Sequence, residues 1–141
     1  MMLIVNILIL FLLYCFVGCS GLNNSDSDLS GEYNFTMYDS LNLTLASGTL
    51  VINEYSSNSI TGKLSFTNVV NEFEGYESIK KEFTGKINEK EKMVLINTNP
   101  GAADNNVYFN LKIKSNRLDG DWYYTVLRQE IKYNRIVLIK K

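Results

Sequence analysis

The sequence predicts an all-β domain, a small antiparallel up-and-down barrel of about eight strands that follows an N-terminal signal segment. Three observations predict it: short runs of alternating apolar and polar residues, a recurring phrase that contains glycine, and turn signals between the runs. A barrel and a sandwich are the two standard solutions for such a pattern. Short connections between successive strands favour a meander, and hence the barrel.

The recurring phrase reads apolar, small polar, glycine, charged, apolar. Its copies are LSGEY (29–33), ITGKL (60–64), FTGKI (83–87) and LDGDW (118–122). Because side chains alternate between the two faces of a strand, the glycine and the apolar residues share one face. Glycine inside a strand often marks a bend or a close backbone approach, which the coiled strands of small barrels need.

The other elements follow the same alternation in chain order. Strand patterns run through 33–37, 41–45, 50–52, 64–66, 93–96, 107–113, 118–126 and about 135–140. Turn signals lie at 47–48, 56–59, 88–92, 97–106 and 115–116. The stretch 69–83 has some helical character, but Gly75 and the pair at 84–85 favour a solvated loop that runs into a strand.

The N-terminal stretch predicts export. Residues 1–17 carry no charge and are apolar apart from Asn6, and small residues follow at 18–21. The polar and acidic run LNNSDSD (22–28) then indicates a flexible tether before the domain at 29–141.

The stretch VGC (17–19) resembles the end of a bacterial lipobox, in which the chain is cut before the cysteine and the thiol carries a lipid. The resemblance implies a lipoprotein signal peptide at 1–18, a lipidated tether at 19–28, and attachment to a membrane through Cys19. Because Ser20 rather than Asp follows, it also implies a cell-envelope location, at the outer membrane if the organism has one. An uncleaved anchor and an ordinary signal peptide cut nearby are the alternatives.

Composition argues against several classes of function. The chain has no histidine, which removes the commonest general base and the commonest metal ligand. It has no glycine-rich phosphate loop of standard spacing. Its net charge of −1 gives no general attraction to nucleic acid. We therefore expect no enzymatic activity, no cofactor, no metal and no nucleic-acid partner, while a protein partner stays unknown.

The charges are unevenly distributed along the chain. Before Lys63 every charged residue is acidic, and from residue 105 onward basic residues dominate. If the first and last strands pair, as they do in a closed barrel, opposite charges meet at the seam; the alternative is that the two groups of charges form separate solvated faces.

LSGEY also resembles the Gly-x-Trp opening of lipocalin-like and avidin-like barrels, the calycins, with Tyr33 in the tryptophan position. EFTGKI (82–87) and LDGDWYY (118–124) are similar to later glycine-containing strands of that family. The resemblance implies a calycin-like barrel over 29–141.

The barrel interior is the first candidate site, where we expect a small apolar or amphipathic ligand. The predicted inward residues are Tyr33, Phe35, Leu64, Phe66, Phe109, Leu111, Trp122 and Tyr124. Tyrosine hydroxyls and the indole N–H suit the few polar groups of a mostly apolar pocket. The alternative is an interior filled by these side chains. The barrel would then act as a protein-interaction module, such as an envelope assembly factor or an inhibitor.

Two further candidates lie on outward faces. Asp119 and Asp121 are paired carboxylates, which in other settings do acid–base work or bind calcium, although solvated surface is the simpler interpretation. Tyr108, Tyr123 and Tyr133 would form a partner-binding patch if they all point outward.

Overall fold

The computed structural model describes residues 28–56, 58–127 and 129–141, and for residues 132–134 it describes only the backbone. The predicted signal peptide and the lipidation site Cys19 lie outside these residues. Within them, no helix is long and apolar enough to cross a membrane. The strands are β1 (Gly31–Tyr38), β2 (Thr44–Ser56), β3 (Ser59–Val69), β4 (Glu82–Asn88), β5 (Met93–Asn97), β6 (Asn106–Ile113), β7 (Arg117–Val126) and β8 (Gln129–Lys140).

The eight strands form a closed antiparallel barrel in chain order, which confirms the predicted fold class. Every strand pairs with the next, and β8 closes the ring by pairing with β1 from Tyr33↔Lys140 to Met37↔Ile136. The expected opposite charges meet at this seam, where the Lys141 ammonium forms an ion pair with Glu32. Among the described strands, each therefore has a hydrogen-bonded neighbour on both sides over part of its length.

Because successive strands run in opposite directions, the connections between them alternate between the two ends of the barrel. The connections β1–β2 (39–43), β3–β4 (70–81), β5–β6 (98–105) and β7–β8 lie at one end, here called the loop end. The short β2–β3, β4–β5 and β6–β7 connections lie at the other end, here called the tether end after the tether predicted from the sequence before β1. The chain also enters β1 and leaves β8 at the tether end.

Apolar side chains from every strand pack together inside the barrel. The recurring glycines make this packing possible, as Gly62 shows. A Cβ at Gly62 would lie 2.1 Å from the Val51 carbonyl oxygen and 2.5 Å from the Phe83 ring. The missing side chain therefore lets β2 approach β3 closely and leaves room for a core aromatic ring.

The turn after β1 corrects one expectation from the sequence. Leu41 and Leu43 alternate with Leu45 as in a strand, but they lie in the β1–β2 turn and are 76% and 61% exposed. The Asp39 carboxylate accepts hydrogen bonds from the backbone N–H groups of both, each at 2.8 Å. A side chain that captures backbone donors in this way favours a turn over a strand ladder.

The interior of β2 corrects a second expectation from the sequence. Ser47 and Gly48 were expected to form a turn, but both lie inside β2, where its register with β3 shifts. A Cβ at Gly48 would lie 2.7 Å from the Phe35 ring, so this glycine accommodates a core side chain rather than a reversal of the chain. The last strand is also longer than expected, because it begins at Gln129.

Candidate functional site

The predicted interior residues all belong to one apolar core or pack against it. Tyr33, Phe35, Leu64, Phe109, Leu111 and Trp122 are between 0% and 3% exposed, while Phe66 and Tyr124 are partly buried. The polar groups of this set are already used. The Tyr33 hydroxyl donates to the Leu29 carbonyl at 2.9 Å, and the Trp122 indole N–H donates to the Tyr38 carbonyl at 3.0 Å. These side chains therefore form a packed core with satisfied polar groups.

Burial also controls the chemistry of Tyr33. Desolvation raises the pKa of its hydroxyl to about 12, and the nearby Asp28 carboxylate adds to this shift. The Lys140 ammonium lies 5.9 Å from the centre of the Tyr33 ring, at the tether end. Tyr33 is thus a neutral donor that helps to close this end of the barrel.

The loop end is covered by the β3–β4 connection, residues 70–81, here called the mouth loop. It contains a single 3₁₀ turn at Tyr76–Ser78, and its side chains Phe73 and Ile79 pack against the core. Loops of this length are usually functional or disordered. This one is anchored by side chains that fold back onto the barrel.

A chain of aromatic contacts crosses the mouth. The Phe35 and Phe66 ring centres lie 5.4 Å apart, and Phe66 lies 5.3 Å from Tyr76 of the mouth loop. Tyr76 lies 5.5 Å from Phe73, which lies 5.0 Å from Trp122 of β7. These distances suit tilted and edge-to-face aromatic pairs. The mouth loop therefore links β1 and β3 to β7 across the end of the barrel.

Backbone hydrogen bonds fix both ends of the mouth loop. Near its start, the Val70 N–H donates to the Leu45 carbonyl at 2.8 Å, and near its end the Lys80 N–H donates to the Thr98 carbonyl at 2.9 Å. Its middle depends on Gly75, which has φ 84°. A Cβ there would lie 2.5 Å from the Tyr124 ring, so glycine lets the loop approach β7.

A cleft of about 460 Å³ opens between the mouth loop and the barrel, here called the mouth cleft. It is lined by Glu72, Phe73, Gly75, Tyr76, Glu77, Ser78, Asn105 and Tyr124. The Tyr124 hydroxyl donates to the Asn105 side-chain oxygen at 3.1 Å, which fixes one wall. The Ser78 hydroxyl donates to the Gly75 carbonyl at 2.6 Å, which fixes the lining residues of the mouth loop. The cleft thus combines aromatic surface with oriented polar groups.

Only part of the predicted set reaches the mouth cleft. Tyr124 lines it, and Trp122 and Phe66 contact the mouth-loop rings that line it. The other predicted residues lie deeper in the core. Phe73 and Tyr76 were not among the predicted site residues, and the available signal was a pair of aromatic residues inside a long loop.

The paired carboxylates have separate surroundings. Asp119 lies within 3.0–3.2 Å of cationic groups of Lys114, Arg117 and Arg135, and its side chain is 13% exposed. The hydrogen bond from Arg135, followed by that from Lys114, lowers the pKa of the Asp119 carboxyl. Asp121 is exposed on the same strand. Asp119 is therefore the centre of an ion-pair cluster.

The outward tyrosines form a stacked pair. Tyr108 and Tyr123 face each other across β6 and β7, with ring centres 5.2 Å apart and planes at 17°. Burial, together with the nearby Glu130 carboxylate, raises the pKa of Tyr123. The side chain of Tyr133 lies outside the described residues, so the predicted three-residue patch is described only as this pair.

No protein-family model matches the chain, and no curated protein or solved structure shows significant similarity to it. Within the described ranges, no group of three or more acidic, cysteine or histidine side chains is arranged to hold a metal ion. The functional interpretation therefore depends on the geometry of the barrel and its mouth.

Proposed function

We propose that this is a lipid-anchored cell-envelope protein that binds a small amphipathic ligand in the mouth cleft. The observation that carries the proposal is the cleft itself. Its volume is about 460 Å³, and its lining residues include three aromatic residues, two glutamates, a serine and an asparagine. Small-molecule sites typically have volumes of roughly 300–1,000 Å³ and combine apolar walls with a few polar groups. Lipidation at Cys19 would provide the membrane attachment.

The packing of the barrel favours the mouth over the interior as the ligand site. Six of the predicted interior side chains are at most 3% exposed. A ligand between them would have to displace core side chains, and emptying a packed site costs several kcal/mol, about 2–5 kcal/mol for one large side chain. A ligand in the mouth cleft displaces no core side chain.

The proposal is tested by native mass spectrometry of residues 21–141, which contain every contact described above. The protein is exported to a bacterial periplasm and purified without detergent. We expect a discrete bound mass that is lost on denaturation. Ser78→Trp places a large side chain in the cleft and should abolish the bound mass. Ser115→Trp is the matched control, because it adds the same side chain to an exposed turn at the tether end.

The two variants decide where the ligand lies. Circular dichroism and thermal unfolding first establish that both fold. A bound mass that survives in Ser78→Trp would place the ligand outside the mouth cleft and contradict the proposal. An apo mass in the wild-type protein, followed by no binding from envelope extracts, would favour the second candidate function.

The second candidate is a protein-interaction module, and the surface of the loop end favours it. Leu41, Leu43, Val70 and Leu127 are 53–82% exposed, and all four lie in or next to loop-end connections. Exposed apolar residues gathered at one end of a domain are typical of interaction surfaces. The large hydrophobic residue Ile139, 54% exposed, lies at the tether end and provides a control.

The interaction module is tested by cross-linking of the full lipoprotein in intact envelopes. We expect a discrete cross-linked species that disappears in the double variant Leu43→Ser, Val70→Ser and persists in Ile139→Ser. Equal loss in both variants would indicate nonspecific apolar contact and contradict this function.

A further inference from the structure

We infer that the mouth cleft selects a positively charged organic ammonium group carried on a small apolar body. The inference rests on the proposed ligand-binding function and names the class of ligand. The aromatic residues Phe73, Tyr76 and Tyr124 line the cleft together with the exposed acidic residues Glu72 and Glu77. The described lining residues include no lysine or arginine.

The two carboxylates are available to a ligand. Neither Glu72 nor Glu77 forms an ion pair within the described residues, where the ion pairs involve Asp119 and Glu32. Lys80 is the cation closest to this part of the mouth loop in the chain. Its ammonium donates to the Glu77 backbone carbonyl at 3.4 Å. Lys80 therefore forms no ion pair with the Glu77 carboxylate among the described residues, but its charge offsets part of the negative charge beside the cleft.

Aromatic rings and carboxylates attract cations by complementary means. The face of an aromatic ring carries partial negative charge and attracts an ammonium group that lies within about 6 Å of its centre. A carboxylate adds a direct Coulomb attraction, which weakens as salt increases. An anion is repelled by the same groups, and an uncharged ligand gains only from apolar contact. The combination thus favours a cation over an uncharged or anionic ligand of similar size.

The inference is tested with three probes that share a phenyl group and differ in charge: benzyltrimethylammonium, benzyl alcohol and benzenesulfonate. Residues 21–141 are titrated with each probe, the affinity is measured by calorimetry, and the site is located by amide NMR shifts in residues 72–78. We expect benzyltrimethylammonium to bind about tenfold more tightly than the other two, which corresponds to about 1.4 kcal/mol. Its affinity should fall as salt increases.

Two double variants test the role of the carboxylates. Glu72→Gln, Glu77→Gln should weaken binding of the cation about fivefold and leave binding of benzyl alcohol unchanged. Glu89→Gln, Glu91→Gln makes the same change in net charge at the exposed β4–β5 turn of the tether end, and it should leave both affinities unchanged. Equal weakening by the two double variants would show a general charge effect and overturn the inference.

The outcomes separate the inference from the function on which it rests. Binding of all three probes at residues 72–78 with equal affinity would overturn charge selection and retain a ligand site at the mouth. The absence of any shift at 72–78 with every probe would overturn the cationic ligand class. If no bound mass were found either, the ligand-binding function would fall with it.

Discussion

Gly62→Ala tests whether the barrel interior is packed as described. The added Cβ would lie 2.1 Å from the Val51 carbonyl oxygen and 2.5 Å from the Phe83 ring. The contact with Val51 is the more severe, because a backbone oxygen in a paired strand cannot move away by changing rotamer. Inserting a methyl group into a packed core typically costs 1–3 kcal/mol, so we expect about 3 kcal/mol here. At roughly 4 °C per kcal/mol, the melting temperature should fall by about 12 °C.

The matched control is Gly101→Ala in the β5–β6 loop. A Cβ at Gly101 has nothing within 4 Å, so the substitution meets open space. Replacing glycine by alanine at an unstrained site reduces the entropy of the unfolded chain, and the expected change is between zero and about 1 kcal/mol of stabilisation. Urea denaturation of both variants measures the difference. Equal stabilities would refute the close packing of β2, β3 and Phe83, and would reopen the interior as a ligand site.

Three further predictions address charge and anchoring. The folded state holds the proton of Tyr33, whose pKa is raised to about 12, while the unfolded chain releases it near pH 10. As pH rises from about 10 to about 12, the free energy of unfolding should therefore fall by roughly 2 to 3 kcal/mol more in the wild-type protein than in Tyr33→Phe, measured by urea denaturation. Asp119→Ala removes ion pairs to three cations and should lower stability by about 1 kcal/mol in dilute salt and less in 1 M NaCl, whereas an equal loss at both salt concentrations would argue against an electrostatic role. Cys19→Ala should move the protein from the membrane fraction to the soluble fraction on envelope fractionation, whereas an uncleaved anchor would leave it in the membrane.

The strands were predictable where one face is buried and the other is not. In β6, buried Val107, Phe109 and Leu111 alternate with more exposed polar residues, and that period specifies a strand without knowledge of its neighbours. Leu41 and Leu43 show the same alternation but lie in a turn, because the Asp39 carboxylate binds their backbone N–H groups. A local side-chain hydrogen bond of this kind cannot be inferred from hydrophobic period alone.

The candidate site was less predictable than the fold. Alternation placed Tyr124 and Trp122 on the inward face, as the structure has them. Phe73 and Tyr76 carry no strand period, and their positions depend on rings that are distant in sequence, Trp122 and Phe66. How a loop folds over the end of a barrel is determined by such tertiary contacts. The mouth cleft therefore depends on the tertiary structure and could not be predicted from the sequence pattern.

Because the barrel has an even number of antiparallel strands, β1 begins and β8 finishes at the same end of the barrel. The Lys141 N–H donates to the Glu32 carbonyl at 2.9 Å, and the Lys140 ammonium donates to the Asp28 carbonyl at 2.8 Å. Domains with adjacent termini generally tolerate circular permutation. A permutant that joins Lys141 to Asp28 and opens the chain in the β5–β6 loop would keep the same barrel and move its termini to the loop end. The end of the barrel that carries the chain termini is thus determined by where the ring of strands is cut, and it can be changed independently of the fold and of the cleft.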